Sequence, residues 1–349
     1  MNNLDNFDGS DYQRAVEDLF RRGELNYQNQ NYQAAIENYT RLLQLNPNES
    51  KAYSQRSLAW AKLGNYQEAI KDYTQCLKLQ PNFVKGYVAR AGLFKDAGNL
   101  QRAIDDCTHA ISIGSDWNHI AYSLRGDCYG LLKNYQAAIE DYSKSIRLDL
   151  ENIEGCYQKR GYCHQQLEHY HEAIEDCTQA LRCNSKIIEC YQIRAQSHQA
   201  LGNWEESIRD FTEVIRREPA PTEYTFLAYI GRGVSYGFLN ERESEASDYD
   251  AAARLSLARG DTKGYQKVMM LIESVGITQG SSEKSISDNK PSPVPVSHIV
   301  AAIFFPPLGV FLTVGLGFHF WINLILTLVF TWIPGVIHAL WLVFNHDRS

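Results

Sequence analysis

An arginine returns along this chain at Arg22, Arg56, Arg90, Arg125, Arg160, Arg194 and Arg232, at spacings of 34, 34, 35, 35, 34 and 38 residues. The last interval is lengthened by Pro219-Ala-Pro-Thr-Glu223. In six of the seven copies a tyrosine stands three residues before the arginine, and each arginine is followed by Gly, Ala or Ser. Sixteen residues after it comes an acid or its amide: Asn38, Asp72, Asp106, Asp141, Asp176, Asp210 and Asp248. Self-similarity at this period restricts the chain to an array of stacked supersecondary units. Each unit is too small to bury its own apolar face and must bury it against its neighbours.

The fourth copy shows what one unit contains. Tyr122, Leu124, Tyr129 and Leu132 recur at helical spacing, and so do Tyr135, Ile139 and Tyr142. Two short helices folded back on each other follow, touching where Gly126 and Ala138 are small. The second helix opens with a small residue and isoleucine in six copies: Ala35-Ile36, Ala69-Ile70, Ala103-Ile104, Ala138-Ile139, Ala173-Ile174 and Ser207-Ile208. The seventh departs, with Glu245-Ala246. Pro47, Pro81 and Pro219 stand where second helices must stop.

On these residues the chain resembles the tetratricopeptide-repeat proteins. The resemblance implies an all-α superhelical solenoid of seven helix pairs, with first helices lining a concave groove for a peptide or partner helix. A repeat domain is expected over residues 11–276. Its last element is a capping helix started by Asp261, with an apolar stripe of Tyr265, Val268, Met269 and Ile272.

The arginine-to-aspartate interval supports two readings. One is a charged ladder along a ligand groove. The other, which strict periodicity favours, is a set of structural ion pairs: Arg56 with Asp72, Arg90 with Asp106, Arg125 with Asp141, Arg160 with Asp176 and Arg194 with Asp210. Partner contacts should sit on residues that vary between copies. In the family's arrangement the inward positions are Gln158, Tyr162, Gln165 and Gln166 in copy five, and Gln192, Gln196 and Gln199 in copy six; copy three adds Lys95 and Asp96. Glutamine suits neutral hydrogen bonding to an extended peptide, and it is equally a good exposed helix former. Phe20 and Glu24 occupy the places where the subclass that clamps a C-terminal carboxylate carries Lys and Asn.

A net charge of −7 argues against a general nucleic-acid binder. All eight cysteines lie between Cys76 and Cys190, spaced with the repeat and without a C-x-x-C pair, which suits buried apolar thiols in a reducing compartment. No nucleophile elbow, phosphate loop or zinc motif appears, so neither an enzyme, a cofactor nor a metal is expected. The first residues contain no basic region followed by an apolar run, so no secretory signal is read there.

Beyond the repeats the composition turns over. Residues 277–297 are rich in Gly, Ser, Asp, Lys and Pro and read as a tether of roughly 25 Å. From Pro291 to His346 there is no Asp, Glu, Lys or Arg. Two apolar segments, His298–Val314 and Trp321–Phe344, predict a two-helix transmembrane hairpin over 298–345. Lys284, Lys290 and Arg348 flank its outer ends, which places both ends, and the repeats, on the cytoplasmic side. Within it, Asn323 and His338 are the intramembrane polar groups, either bonding across the hairpin or forming part of an ion path.

Phe304-Phe305-Pro306-Pro307-Leu308-Gly309, Trp321-Ile322-Asn323-Leu324 and Pro334-Gly335-Val336-Ile337-His338-Ala339 are similar to the small plasma-membrane proteolipids. That resemblance implies a role in membrane potential or in salt and cold stress response. The expected function is a membrane scaffold for protein or peptide partners at the cytoplasmic face of the plasma membrane, with homo-oligomerisation through the hairpin. The alternative is modulation of membrane potential or ion homeostasis by the hairpin, with the repeats regulatory.

Overall fold

The computed structural model describes residues 9–149 and 153–274. The tether at 277–297 and the apolar segments, with Asn323 and His338, lie outside the described residues. Among the described residues no helix is long and apolar enough to cross a membrane.

The chain divides into two compact units, residues 1–167 and 168–349. The first contains α1 (Gly9–Gln28), α2 (Tyr32–Leu45), α3 (Ser50–Lys62), α4 (Tyr66–Leu79), α5 (Val84–Asp96), α6 (Leu100–Ile113), α7 (Asn118–Leu131), α8 (Tyr135–Leu148) and α9 (Glu154–Gln166). The second contains α10 (Tyr170–Cys183), α11 (Ile188–Ala200), α12 (Trp204–Arg217), α13 (Glu223–Phe238), α14 (Arg242–Ala258) and α15 (Thr262–Ser274). Among the described residues seven first and seven second helices therefore alternate along the sequence, followed by one more.

Within each unit, the turns from a first to a second helix close the same way. In copy four the Lys133 amide donates to the Gly130 carbonyl (2.9 Å) and the Asn134 amide to the Tyr129 carbonyl (2.8 Å), a Schellman closure that satisfies the last carbonyls of α7. The closing residue has a left-handed backbone. Glycine takes it at Gly64, Gly98 and Gly202, but Gln30, Lys133, Glu168 and Asn240 hold it with a side chain. Lys133, at φ 59°, is exposed and its side chain is no part of the turn. Lys133→Gly is expected to raise the urea midpoint, with a gain of about 0.5–1 kcal/mol from relief of the left-handed strain.

Packing within each pair rests on small-to-large complementarity. The Tyr142 ring lies over Gly126 so closely that a Cβ there would sit 2.9 Å from Cε1. Ala138 is fully buried at the same crossing. The core runs from one pair into the next, as in Val16, Ile36, Tyr39, Leu42 and Ala52, from α1, α2 and α3, at the start of the first unit. At the end of the described residues, α15 packs against α14. Val268 and Leu271 are buried against Tyr249, Ala252 and Ala253, with Tyr265, Met269 and Ile272 around them. The Gly264 amide donates to the Asp261 carboxylate (2.9 Å), which caps that helix.

Candidate functional site

The recurring arginine makes three contacts in one arrangement. Its Nε and Nη2 donate as a fork to one aspartate sixteen residues on, at 2.8 and 2.7 Å for Arg56 with Asp72, Arg90 with Asp106, Arg194 with Asp210 and Arg232 with Asp248. For Arg125 with Asp141 the distances are 2.7 and 2.9 Å. The guanidinium lies beside the tyrosine three residues earlier, 5.3 to 5.7 Å from the ring centroid in every copy from Arg56 onward. Nη1 reaches back to a hydroxyl on the previous second helix. The acceptors are Thr40, Thr74, Thr108, Ser143, Thr178 and Thr212, at 2.8 to 3.0 Å.

This hydroxyl column joins each copy to the one before it, and the sequence reading did not pick it out. Its signal was present, because Ser or Thr follows the second-helix Tyr, Cys or Phe in the first six copies. Arg160 and Asp176 fall in different units; within its own unit Arg160 donates to Ser143.

Copy one is different. Asn38 stands where the aspartate would be and bonds its own helix at the Ala34 carbonyl (2.8 Å). Arg22 pairs instead with Asp18 at 2.7 Å and is largely exposed. The forked aspartates are buried, and for Asp72 and Asp248 burial pushes the carboxyl up from its ordinary value against the opposing pull of the arginine. Such a pair fixes register between helices more than it adds net stability, while breaking it strands a charge.

On the first-helix face of the first unit, three copies meet at Asp127. Its carboxylate accepts from Lys159 (2.7 and 3.0 Å) and from the Tyr142 hydroxyl (2.9 Å), with Lys95 at 3.8 Å. Asp96, paired with Lys95 at 4.0 Å, is exposed. This charged strut links α5, α7, α8 and α9. Lys95 was among the inward positions read from the sequence, but Asp127 and Lys159 were not.

The expected partner residues separate into two sets, one per unit. In the first unit α9 brings Gln158 and Gln165, half-buried, and Tyr162 and Gln166, exposed. Tyr162 stands edge-on to Tyr135 at 6.3 Å between centroids. In the second unit α11 carries Gln192, Gln196 and Gln199. Gln196 is exposed. Gln192 is half-buried, with its carbonyl oxygen enclosed and lacking a hydrogen-bond partner. Gln199 is committed to packing: its amide donates to the Gly231 carbonyl (2.7 Å) and the Ser235 hydroxyl (2.9 Å), fastening α11 to α13.

The eight cysteines are free thiols, and all but Cys183 are buried. Burial pushes the Cys76, Cys128 and Cys163 thiols up to about 11, so at neutral pH they are protonated, weakly nucleophilic and poor metal ligands. Among the described residues no group of three or more His, Cys, Asp or Glu side chains is placed to hold a metal ion.

Comparison with known families bears on both halves of the chain. Tetratricopeptide-repeat families match residues 23–97, 119–152 and 155–186. The proteolipid membrane potential modulator family matches residues 296–344. That segment is 56% identical over 48 residues to a UPF0057 membrane protein of Synechocystis sp., covering 14% of this chain and 89% of that protein. The chain is a tetratricopeptide-repeat protein with a C-terminal proteolipid membrane potential modulator domain.

Plasma membrane proteolipid 3 of Debaryomyces hansenii is 50% identical over 51 residues, covering 15% of this chain and 88% of that protein. The tetratricopeptide-repeat part shares its fold with solved structures. The C-terminal part of a TPR repeat-containing protein from Cytophaga hutchinsonii superposes with a TM-score of 0.58 at 18% identity, over 71% of this chain and 98% of that one. A tetratricopeptide-repeat protein from Parabacteroides merdae gives 0.53 at 18%, over 73% and 99%.

Proposed function

We propose that this chain is a membrane-anchored scaffold, whose tetratricopeptide repeats gather protein or peptide partners at the cytoplasmic face while its C-terminal domain holds them at the bilayer. One observation carries the reading. The tail corresponds to nearly the whole of a small membrane protein, 89% of the Synechocystis relative, joined to a repeat array. An array built from register-fixing forks presents many varied side chains on a stiff frame, which suits recognition rather than catalysis. Gln158, Tyr162, Gln166 and Gln196 are the residues offered to a partner. Gln199 contributes by holding α13 in place.

The test is fractionation. The full chain is expected to stay with membranes through an alkaline carbonate wash, whereas a chain lacking residues 298–349 is expected in the supernatant. Release of the full chain by carbonate would refute the anchor.

A second reading, modulation of membrane potential or ion homeostasis under stress through the tail, draws on the description of the family matched at 296–344. It would be favoured over a scaffold alone by a potential-driven cation leak in liposomes containing the full chain, abolished by Asn323→Ala or His338→Ala.

A further inference from the structure

The seventh copy breaks the packing rule of the other six. Where they place Ala or Ser at the helix crossing, it places Glu245, and the structure buries this glutamate completely. Room for it comes from Gly237 on α13: a Cβ there would lie 2.5 Å from Glu245 Oε1. One carboxylate oxygen, Oε2, accepts from Arg242 Nη1 at 2.9 Å, and that arginine is itself 43% exposed. The other, Oε1, is buried with no full hydrogen bond. The Tyr249 hydroxyl, one helical turn on, is likewise buried without one. An acid and a phenol thus sit together in a dry crossing: the phenol and Arg242 favour the ionised acid, and complete burial opposes it.

We propose that Glu245 makes the seventh helix pair a proton-sensitive joint: protonated, it brings no charge into the fully buried crossing and α13 and α14 stay closed; ionised, its desolvated charge is offset only in part by the half-exposed Arg242 and the pair loosens. Burial raises the Glu245 carboxyl above its ordinary value of 4.5, against the opposing effect of Arg242. Burial and the adjacent Glu245 raise Tyr249 too, so the phenol keeps its proton. Of the other acids near it, Asp248 is forked to Arg232 of α13, Glu243 shares the first turn of α14 and Glu241 stands at its N-cap. The elements packed against α14 also carry Tyr229 and Tyr236 on α13 and Lys263, Tyr265 and Lys267 on α15.

The sign follows from linkage. An acid whose folded-state pKa is raised binds its proton more tightly in the closed pair than in the open one. The penalty is absent below the ordinary carboxyl value, and grows as pH rises toward the raised one. Acid closes the joint and base opens it. From this pair the chain runs through α15 into the C-terminal domain, so the joint stands between the recognition face and the anchor in sequence.

Hydrogen exchange on the full chain in detergent, corrected for intrinsic rates, reads the joint directly. Peptides covering α13 and α14 are expected to open more readily as pH rises from about 5 to about 8, by up to about tenfold per pH unit between the two pKa values. Peptides from α3 to α8 are expected not to follow. In Glu245→Gln, which keeps the shape and removes the charge, the rise is expected to vanish. Should that variant fold poorly, Glu245→Ala restores the small residue of the other copies and is expected to be equally flat. A flat wild-type profile, or a rise that survives in either variant, would overturn the proposal.

Discussion

Arg125→Ala is expected to lower the stability of the first unit by about 3–5 kcal/mol, seen as an early loss of helical circular dichroism in urea. The guanidinium is 14% exposed and Asp141 only 3%, so the substitution leaves a buried carboxylate facing an empty site. The bond to Thr108 (2.8 Å) and the contact with the Tyr122 ring go with it. Two controls separate the causes. Arg125→Ala combined with Asp141→Ala is expected to be less damaging than the single change, because no charge is stranded. Arg22→Ala is expected to leave the midpoint where it was, since Arg22 has only an exposed partner in its own helix. A small effect of Arg125→Ala would mean that these pairs are solvated ornaments of the repeat.

Loss of the Tyr142 ring is expected to be as severe. Tyr142 is 3% exposed and fills the crossing over Gly126, so Tyr142→Ala opens a cavity expected to lower stability by about 3–5 kcal/mol. Tyr142→Phe keeps the ring and removes only the bond to Asp127, whose carboxylate still has Lys159. Its expected effect is about 1 kcal/mol. Urea midpoints of the two variants, compared with the parent, distinguish packing from hydrogen bonding at this crossing.

The period was legible because packing repeats. The arginine recurs in all seven copies, its aspartate and the small residue at the crossing in six each, and Asp261 followed by an apolar stripe announced the closing helix. The hydroxyl column was equally periodic but went unread. A Thr or Ser on a second helix looks like ordinary surface until an arginine from the next copy is seen to reach it. Asp127 was hidden for the opposite reason, since it occurs once, and its partners lie 32 residues away in either direction at Lys95 and Lys159. Glu245 was visible as a departure. That Gly237, on the facing helix, would accommodate it required the crossing geometry. Gln199 shows the limit of carrying a groove position over from a family pattern. The residue sits where expected along its helix, yet its amide is occupied by Gly231 and Ser235.

The backward-reaching arginine has an evolutionary corollary. Its hydroxyl partner recurs with nearly the same geometry, 3.0 Å from Arg56 to Thr40, 3.0 Å from Arg90 to Thr74 and 2.8 Å from Arg125 to Thr108. Excising one module would therefore present Thr40 to Arg90, or Thr74 to Arg125, and remake the seam. Duplicating one would do the same. Genes for such arrays can lengthen or contract by whole modules without inventing a new junction, so the reach of the protein is free to drift while its architecture is inherited intact.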